Sequence, residues 1–503
     1  MRVAIIQIRL MPDHYFFDTL NMVYAGDLKK AGFETRVFDH NISGMDDQVE
    51  ALAPLQDAIE KFGASILLFD KIHSDDLVPL LRGPEVKAVG ALQQPGASAR
   101  PGVDFELPHR DREPLLQVVE ALAKGDKASL NTIPGVQTSE GKTTISFKPS
   151  VERLFDDFDM AYDLLEVIRA SPEKAPLRKH VFGNLGCPYR NAPNRTGFLD
   201  GIPIPEELTE RGCTFCDRGD YDRIRPIKAL RLLRDQIQQV RSAFPAMEQL
   251  ILVDEYGLRY ADEFIDMAIE EGLENVEIFF SARVEYILKF QKRFEEALDR
   301  AKGKLTLVMY LVGVENLSPF ELWRFNKGVD VSTMVKALGA LRGYTEKHEH
   351  FRIEPSFGYI MFTPWTTPTD LYLNLVYLQR LSFEQWRQAA AITRLRLYPD
   401  NALYYRAKAD GLLLVEEREG ADASERYGYE AEAPWRFKHA ITQEIYDKTY
   451  RSRSGEEALK VLKRELRPLL PPIKIALEKL DMSDKEVLRR GALGEIQALY
   501  AQP

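Results

Sequence analysis

The stretch RVAIIQIRLMPDHYFFDTLNMVYAGDLKKAGFETRVFDH, residues 2–40, decides the fold. RVAIIQI (2–8) is almost wholly apolar, the composition of a strand buried on both faces. A helical pattern runs through Tyr24, Ala25, Gly26, Asp27, Leu28 and on to Ala31, and Gly32 ends it. TRVFDH (35–40) then alternates as a second strand. Strand, helix and strand in this order make a βαβ unit, whose two strands pair in parallel.

The same alternation continues outward. QVEALAPLQDAIEKF (48–62) is helical, SILLF (65–69) and VKAVGAL (86–92) are strands, and EPLLQVVEALAKG (113–125) is a closing helix. An α/β, Rossmann-like doubly wound parallel sheet is therefore expected over 1–170, with a looser linker from about 127 and ligands at the carboxyl ends of its strands. From 226 the units lengthen. Helices 226–243, 261–271, 285–302, 331–347 and 368–381 alternate with strands LILV (250–253), VEIFFSA (276–282), LTLVMYLVG (305–313), RIEPSFGYIMF (352–362) and ITRLRLYP (392–399). That spacing predicts a full or partial β/α barrel within 171–400. The remainder, 401–503, is expected to be mostly helical, with Pro468, Pro471 and Pro472 dividing its later part.

A chain of 503 residues suggests two or three domains. Its net charge of −10 argues against a nucleic-acid partner or an anionic membrane surface. No apolar run comes near the ~18 residues that cross a bilayer. The opening MRVAIIQIRL is broken by Gln7 and Arg9 and lacks a small-residue cleavage site, so it reads as a strand and not as a signal peptide.

Three cysteines occur, Cys187, Cys213 and Cys216, in GCPYR (186–190) and GCTFC (212–216). An odd, clustered set does not suit a disulfide framework, which places the expected location in reducing cytoplasm. Three thiolates suit a four-coordinate metal centre with one position open. Zinc held by the three cysteines and a histidine, with His180 nearest, is one occupant; an iron–sulfur cluster is the other.

Joined, the two cysteine segments resemble the CxxxCxxC loop of radical S-adenosylmethionine enzymes, in the subgroup with an N-terminal cobalamin-binding-type domain. Here 25 residues separate Cys187 from Cys213, so 191–212 (NAPNRTGFLDGIPIPEELTERG) reads as an insertion rich in Pro, Gly and charge, a surface excursion. The resemblance continues in order. Asp254-Glu255 follows LILV, Ser281 and Arg283 end the next strand, and LVGVENLSPFELWRFNKG (311–328) carries Gly313 and Glu315. FGYIMFTPWTTPTDL (357–371) and LYPDNALYYRAKADGLL (397–413) follow. Asn326-Lys327-Gly328 reads as a helix stop, and Phe279-Phe280 as core.

The resemblance implies a 4Fe–4S cluster on Cys187, Cys213 and Cys216, shielded by Tyr189 and Phe215. It implies S-adenosylmethionine on the fourth iron, with Asp254, Glu255, Ser281, Arg283, Gly313 and Glu315 as cofactor-binding residues. Reductive cleavage would release a 5′-deoxyadenosyl radical, using electrons from a donor such as flavodoxin or ferredoxin, and the substrate would be a small molecule or a peptide. If cobalamin is bound, methylation of an unactivated carbon or phosphorus follows; if not, hydrogen abstraction leading to rearrangement or oxidation. The first domain departs from the subgroup at His109-Arg110-Asp111-Arg112-Glu113 and at Gly90-Ala91-Leu92, and no Asp-x-His-x-x-Gly motif exists for a histidine-ligated cobalamin. A methylthiotransferase would need further cysteines. The alternative of another class is a zinc-stabilised, non-catalytic binding protein on the same scaffold.

Overall fold

The computed structural model describes residues 1–9, 19–43, 45, 47–70, 77–92, 102–107, 112–142, 150–169, 178–216, 223–354, 358–381, 391–399, 401–414, 432–452 and 454–478. They form a mixed α/β structure with two sheets. The first contains β1 (Arg2–Arg9), β2 (Glu34–Asn41), β3 (Ile66–Phe69), β4 (Ala88–Leu92), β5 (Phe105–Leu107), β6 (Gln137–Thr138), β7 (Gly141–Lys142) and β8 (Leu165–Arg169), in the order β7-β6-β5-β4-β3-β1-β2-β8. All its pairings are parallel except those of β6 with β5 and β7. β1 is central, which explains its apolar run: Val3 and Ile5 face one core, Ala4, Ile6 and Ile8 the other. Helices Thr19–Lys30 and Arg112–Ala123 cover the first face, and Gln48–Phe62 and Leu77–Leu81 the second. Gly90 fits β4 because a Cβ there would lie 2.3 Å from the Phe105 ring.

The second sheet holds β9 (Arg178–Phe182), β10 (Gln249–Val253), β11 (Val276–Arg283), β12 (Leu305–Gly313) and β13 (Phe351–Ile353), all parallel, in the order β13-β12-β11-β10-β9. Leu250, Leu252, Ile278, Phe280, Leu307 and Met309 face the main core with helices Pro226–Ala243, Ala261–Glu270, Gln291–Ala301 and Val331–Lys347. Ile251, Phe279 and Val308 form a small cluster on the opposite face. There Arg178 and Arg352 stand over the Phe279 ring at 4.5 and 5.4 Å. Phe279 and Phe280 are thus both core, on opposite faces.

Three expectations need correction. The helix expected over 285–302 is two, Val284–Lys289 and Gln291–Ala301, because Phe290 leaves helical geometry to pack its ring 5.0 Å from Tyr256. The strand expected over 352–362 is in the sheet only to Ile353, and Tyr359 and Phe362 join Glu315 and Arg394 through isolated bridges. Residues 392–399 accordingly form no strand beyond that bridge. The prolines do divide the C-terminal region: Pro468 lies in a short 3-10 turn, Arg467–Leu469, after helix Gly455–Leu466, and Pro471 and Pro472 occupy the first turn of helix Leu470–Glu478, where a missing N–H is harmless. Helices Ala402–Ala409, Ala440–Tyr450 and Gly455–Leu466 precede it.

Candidate metal centre

The cysteines lie beyond the carboxyl ends of the second sheet. After β9 the backbone N–H groups of Gly183 and Asn184 donate to Val253 O at 3.1 and 3.3 Å, laying the chain across the end of β10. Gly183 is obligatory there, since a Cβ would lie 2.2 Å from the Tyr260 hydroxyl. This run delivers Cys187 and Tyr189. The Tyr189 hydroxyl donates to Asn326 O at 2.7 Å, and its ring lies under the Arg283 guanidinium at 4.0 Å.

Cys213 and Cys216 belong to a turn held from two sides. The Cys216 N–H donates to Cys213 O at 3.3 Å. Thr214 donates through its N–H to Phe325 O at 3.0 Å and through its hydroxyl to Arg324 O at 2.8 Å. Its carbonyl accepts from Leu403 N at 2.9 Å, so a C-terminal helix grips the same turn. Phe215 meets Phe325 edge-on at 4.9 Å.

Arg283, at the end of β11, organises the centre. Its Nη1 lies 3.2 Å from Cys213 Sγ, its Nη2 donates to Lys327 O at 2.6 Å, and its Nε pairs with Glu285. Burial opposes the charge on Arg283, but Cys213, Glu285 and Cys187 around it hold its pKa above the ordinary arginine value. Burial pushes the Cys187 thiol up to about 11, with Arg283 pulling it down and Glu255 and Cys213 pushing it further up. Cys187 and Cys213 therefore face one cation, though burial still keeps the Cys187 thiol protonated in the metal-free protein. Among the described residues, no group of three or more His, Cys, Asp or Glu side chains stands in metal-holding geometry. What suits a cluster is the donor chemistry: three thiols and an adjacent buried cation at strand ends.

The other expected residues divide. Glu315 adopts φ 61°, bonds through its backbone to Gly358 O (2.7 Å) and Ile360 N (2.6 Å), and pairs with Lys327 Nζ at 3.0 Å. Gly313 leaves room for this pair: a Cβ there would sit 3.0 Å from Lys327 Nζ and 3.2 Å from Glu315 Oε1, and the two side chains would have to give by a few tenths of an ångström. Ser281 is buried at the bulge in β11. Glu255 is half-buried. Asp254 is buried and accepts from Tyr260 Oη at 2.5 Å and Tyr256 N at 2.8 Å. Burial raises its pKa to about 6, against the pull of the Tyr260 hydrogen bond and Arg259.

Asn326 and Lys327 were not legible as site residues. The helix stop is real, with Asn326 at φ 48° and Gly328 at φ 74°, and it accounts for Asn and Gly without any contact. Yet Lys327 is buried against Glu315, and Gly328 lacks a side chain because a Cβ would strike the Tyr189 hydroxyl at 2.2 Å. The insertion is also not a solvent excursion: Pro193, Phe198, Leu199 and Leu208 are buried.

Asn21, just after β1 at the carboxyl edge of the first sheet, and Asn184, after β9 of the second, are each buried with both amide atoms lacking a protein partner, as is Nδ2 of Asn41 at the end of β2. Such amides suit an amide-rich ligand like a corrinoid. His40 is occupied, bonding Ala51 O at 2.7 Å. His109, Arg110 and Asp111 lie outside the described residues.

No protein-family model and no curated protein matches the chain. The solved structure of an ABC transporter solute-binding protein from Clostridium phytofermentas, with bound L-rhamnose, aligns over 59% of this chain and 79% of its own at 11% identity. Its TM-score of 0.17 carries no weight on fold or function.

Proposed function

We propose that the chain is a radical S-adenosylmethionine enzyme whose 4Fe–4S cluster is held by Cys187, Cys213 and Cys216. In this reading the first sheet is a Rossmann-like domain, the second is the core of a partial β/α barrel, and the C-terminal helices cap it. One observation carries the proposal: the segments of Cys187 and Cys213 share Arg283 beyond the carboxyl ends of a parallel sheet, beside Glu315 and Lys327. The bound cluster would supply one electron to cleave S-adenosylmethionine into methionine and a 5′-deoxyadenosyl radical. Tyr189 and Phe215 would shield the bound cluster. Arg283 would hold positive charge beside the cluster's thiolates, and Glu315, paired with Lys327, would stand near the amino-acid end of the cofactor. A corrinoid at the carboxyl edge of the first sheet, beside Asn21 and Asn41, would direct the reaction to methyl transfer; a corrinoid titration tests whether the group binds.

Anaerobic reconstitution with iron and sulfide tests the reading. A brown, broadly absorbing protein that cleaves S-adenosylmethionine is expected, and Cys213→Ala should abolish both. Retained cleavage in that variant would overturn the ligand assignment. One tightly bound zinc without colour would favour the non-catalytic alternative.

A further inference from the structure

The 191–212 insertion poses a mechanical problem, because a long free strap would let Cys187 and Cys213 drift apart. The structure fastens it at both ends. Gly212 N donates to Asn191 O at 3.0 Å. The Nδ2 amide of Asn326 donates to Ala192 O at 3.0 Å and to Gly212 O at 2.8 Å, one hydrogen to each end. Asn326 is buried, and its own carbonyl accepts from Tyr189, two residues after Cys187. The body of the strap is anchored elsewhere: Phe198 meets Trp323 at 5.4 Å and Trp365 at 5.1 Å, and Arg406 donates to Phe198 O at 3.1 Å.

We infer that Asn326 is a positioning residue that clasps both ends of the insertion and so sets Cys187 against Cys213 as if the two cysteine segments were contiguous. The left-handed backbone at Asn326 suits this task, since asparagine tolerates φ 48° and still offers two donors from one short side chain. A glycine would keep the backbone and drop the clasp. The inference rests on the three-thiol reading above, but its test uses no iron.

Dibromobimane fluoresces when it bridges two neighbouring thiols. Two backgrounds are compared: Cys216→Ser, which leaves Cys187 and Cys213, and Cys187→Ser, which leaves Cys213 and Cys216. Adding Asn326→Gly should slow bridging of the 187/213 pair on the order of tenfold, the effect of two buried hydrogen bonds, and leave the 213/216 pair at its parental rate. Asn326→Asp, which keeps size and backbone but turns donors into acceptors, should behave alike. An unchanged 187/213 rate, or equal slowing of both pairs, overturns the assignment, the second because it marks general loosening. A protein that shows the split but never takes up a cluster would refute the iron reading and keep the clasp.

Discussion

Replacing Arg283 by Met removes the cation that contacts Cys213 Sγ in the candidate centre. The change deletes the bonds to Cys213 Sγ and Lys327 O and strips Glu285 of its partner, while the Met stem keeps much of the contact with Tyr189. Breaking one side of a buried ion pair costs about 3–5 kcal/mol. Glu285 retains 24% side-chain exposure against 5% for Arg283, so water screens part of the loss and the expected value is about 3 kcal/mol. Arg283→Lys keeps the charge without the planar fork and should fall between variant and parent. Urea unfolding of the reduced, metal-free protein measures this through tryptophan fluorescence, since Trp323, Trp365, Trp386 and Trp435 all follow β12 in the sequence. The thiols give a second readout: without Arg283, Cys187 alkylation at alkaline pH should slow, because its pKa rises beyond about 11. A destabilisation under about 1 kcal/mol, the range of an exposed pair, together with unchanged alkylation, would refute the reasoning.

Two further outcomes follow from the same geometry. Cys187 has a folded pKa of about 11, above the ordinary thiol value, so the folded metal-free protein holds that proton more tightly than the unfolded chain. Its contribution is complete below the unfolded pKa and is lost as pH rises towards 11; Cys187→Ser should flatten that alkaline decline in a melting series. Gly328→Ala combines a left-handed backbone at φ 74° with a Cβ 2.2 Å from the Tyr189 hydroxyl. It should lose about 2–4 kcal/mol in the same urea assay, and a smaller loss in a Tyr189→Ala background, which removes the ring carbons at 2.7 Å as well as the hydroxyl, would identify the clash as part of the cause.

Much of the fold could be read from periodicity and caps. Helix Gln48–Phe62 was legible because Asp47 accepts from Val49 N and Glu50 N at one end and Gly63 adopts φ 66° at the other. Val331–Lys347 likewise begins on an Asp330 cap. The break at Phe290 was not legible, because the force that makes it is an aromatic contact with Tyr256, over thirty positions away. The site shows the same division. Arg283 and Glu315 stand at strand ends, where a parallel sheet gathers polar groups whatever their task. Lys327 and Asn326 are explained locally by the end of helix Pro319–Arg324, and only tertiary packing brings them to the cysteines. The insertion misled for a related reason: its prolines, glycines and charges describe its outer side, whereas Phe198 and Leu199 fix its inner one.

The main apolar core does not stop at the junction between the sheets. It runs from Val3 and Tyr24 through Phe155, which stacks on Phe182 at 5.6 Å, to Leu250 and Phe280. Gly26 touches Asp159 so closely that a methyl group would not fit, and Thr19 reaches His180 O at 3.0 Å. Halves welded in this way cannot swing apart like two jaws on a hinge. Under the proposed function, substrate would then have to enter through loops and the C-terminal helices, and severing the chain between β8 and β9 would leave two sticky fragments with apolar faces laid bare.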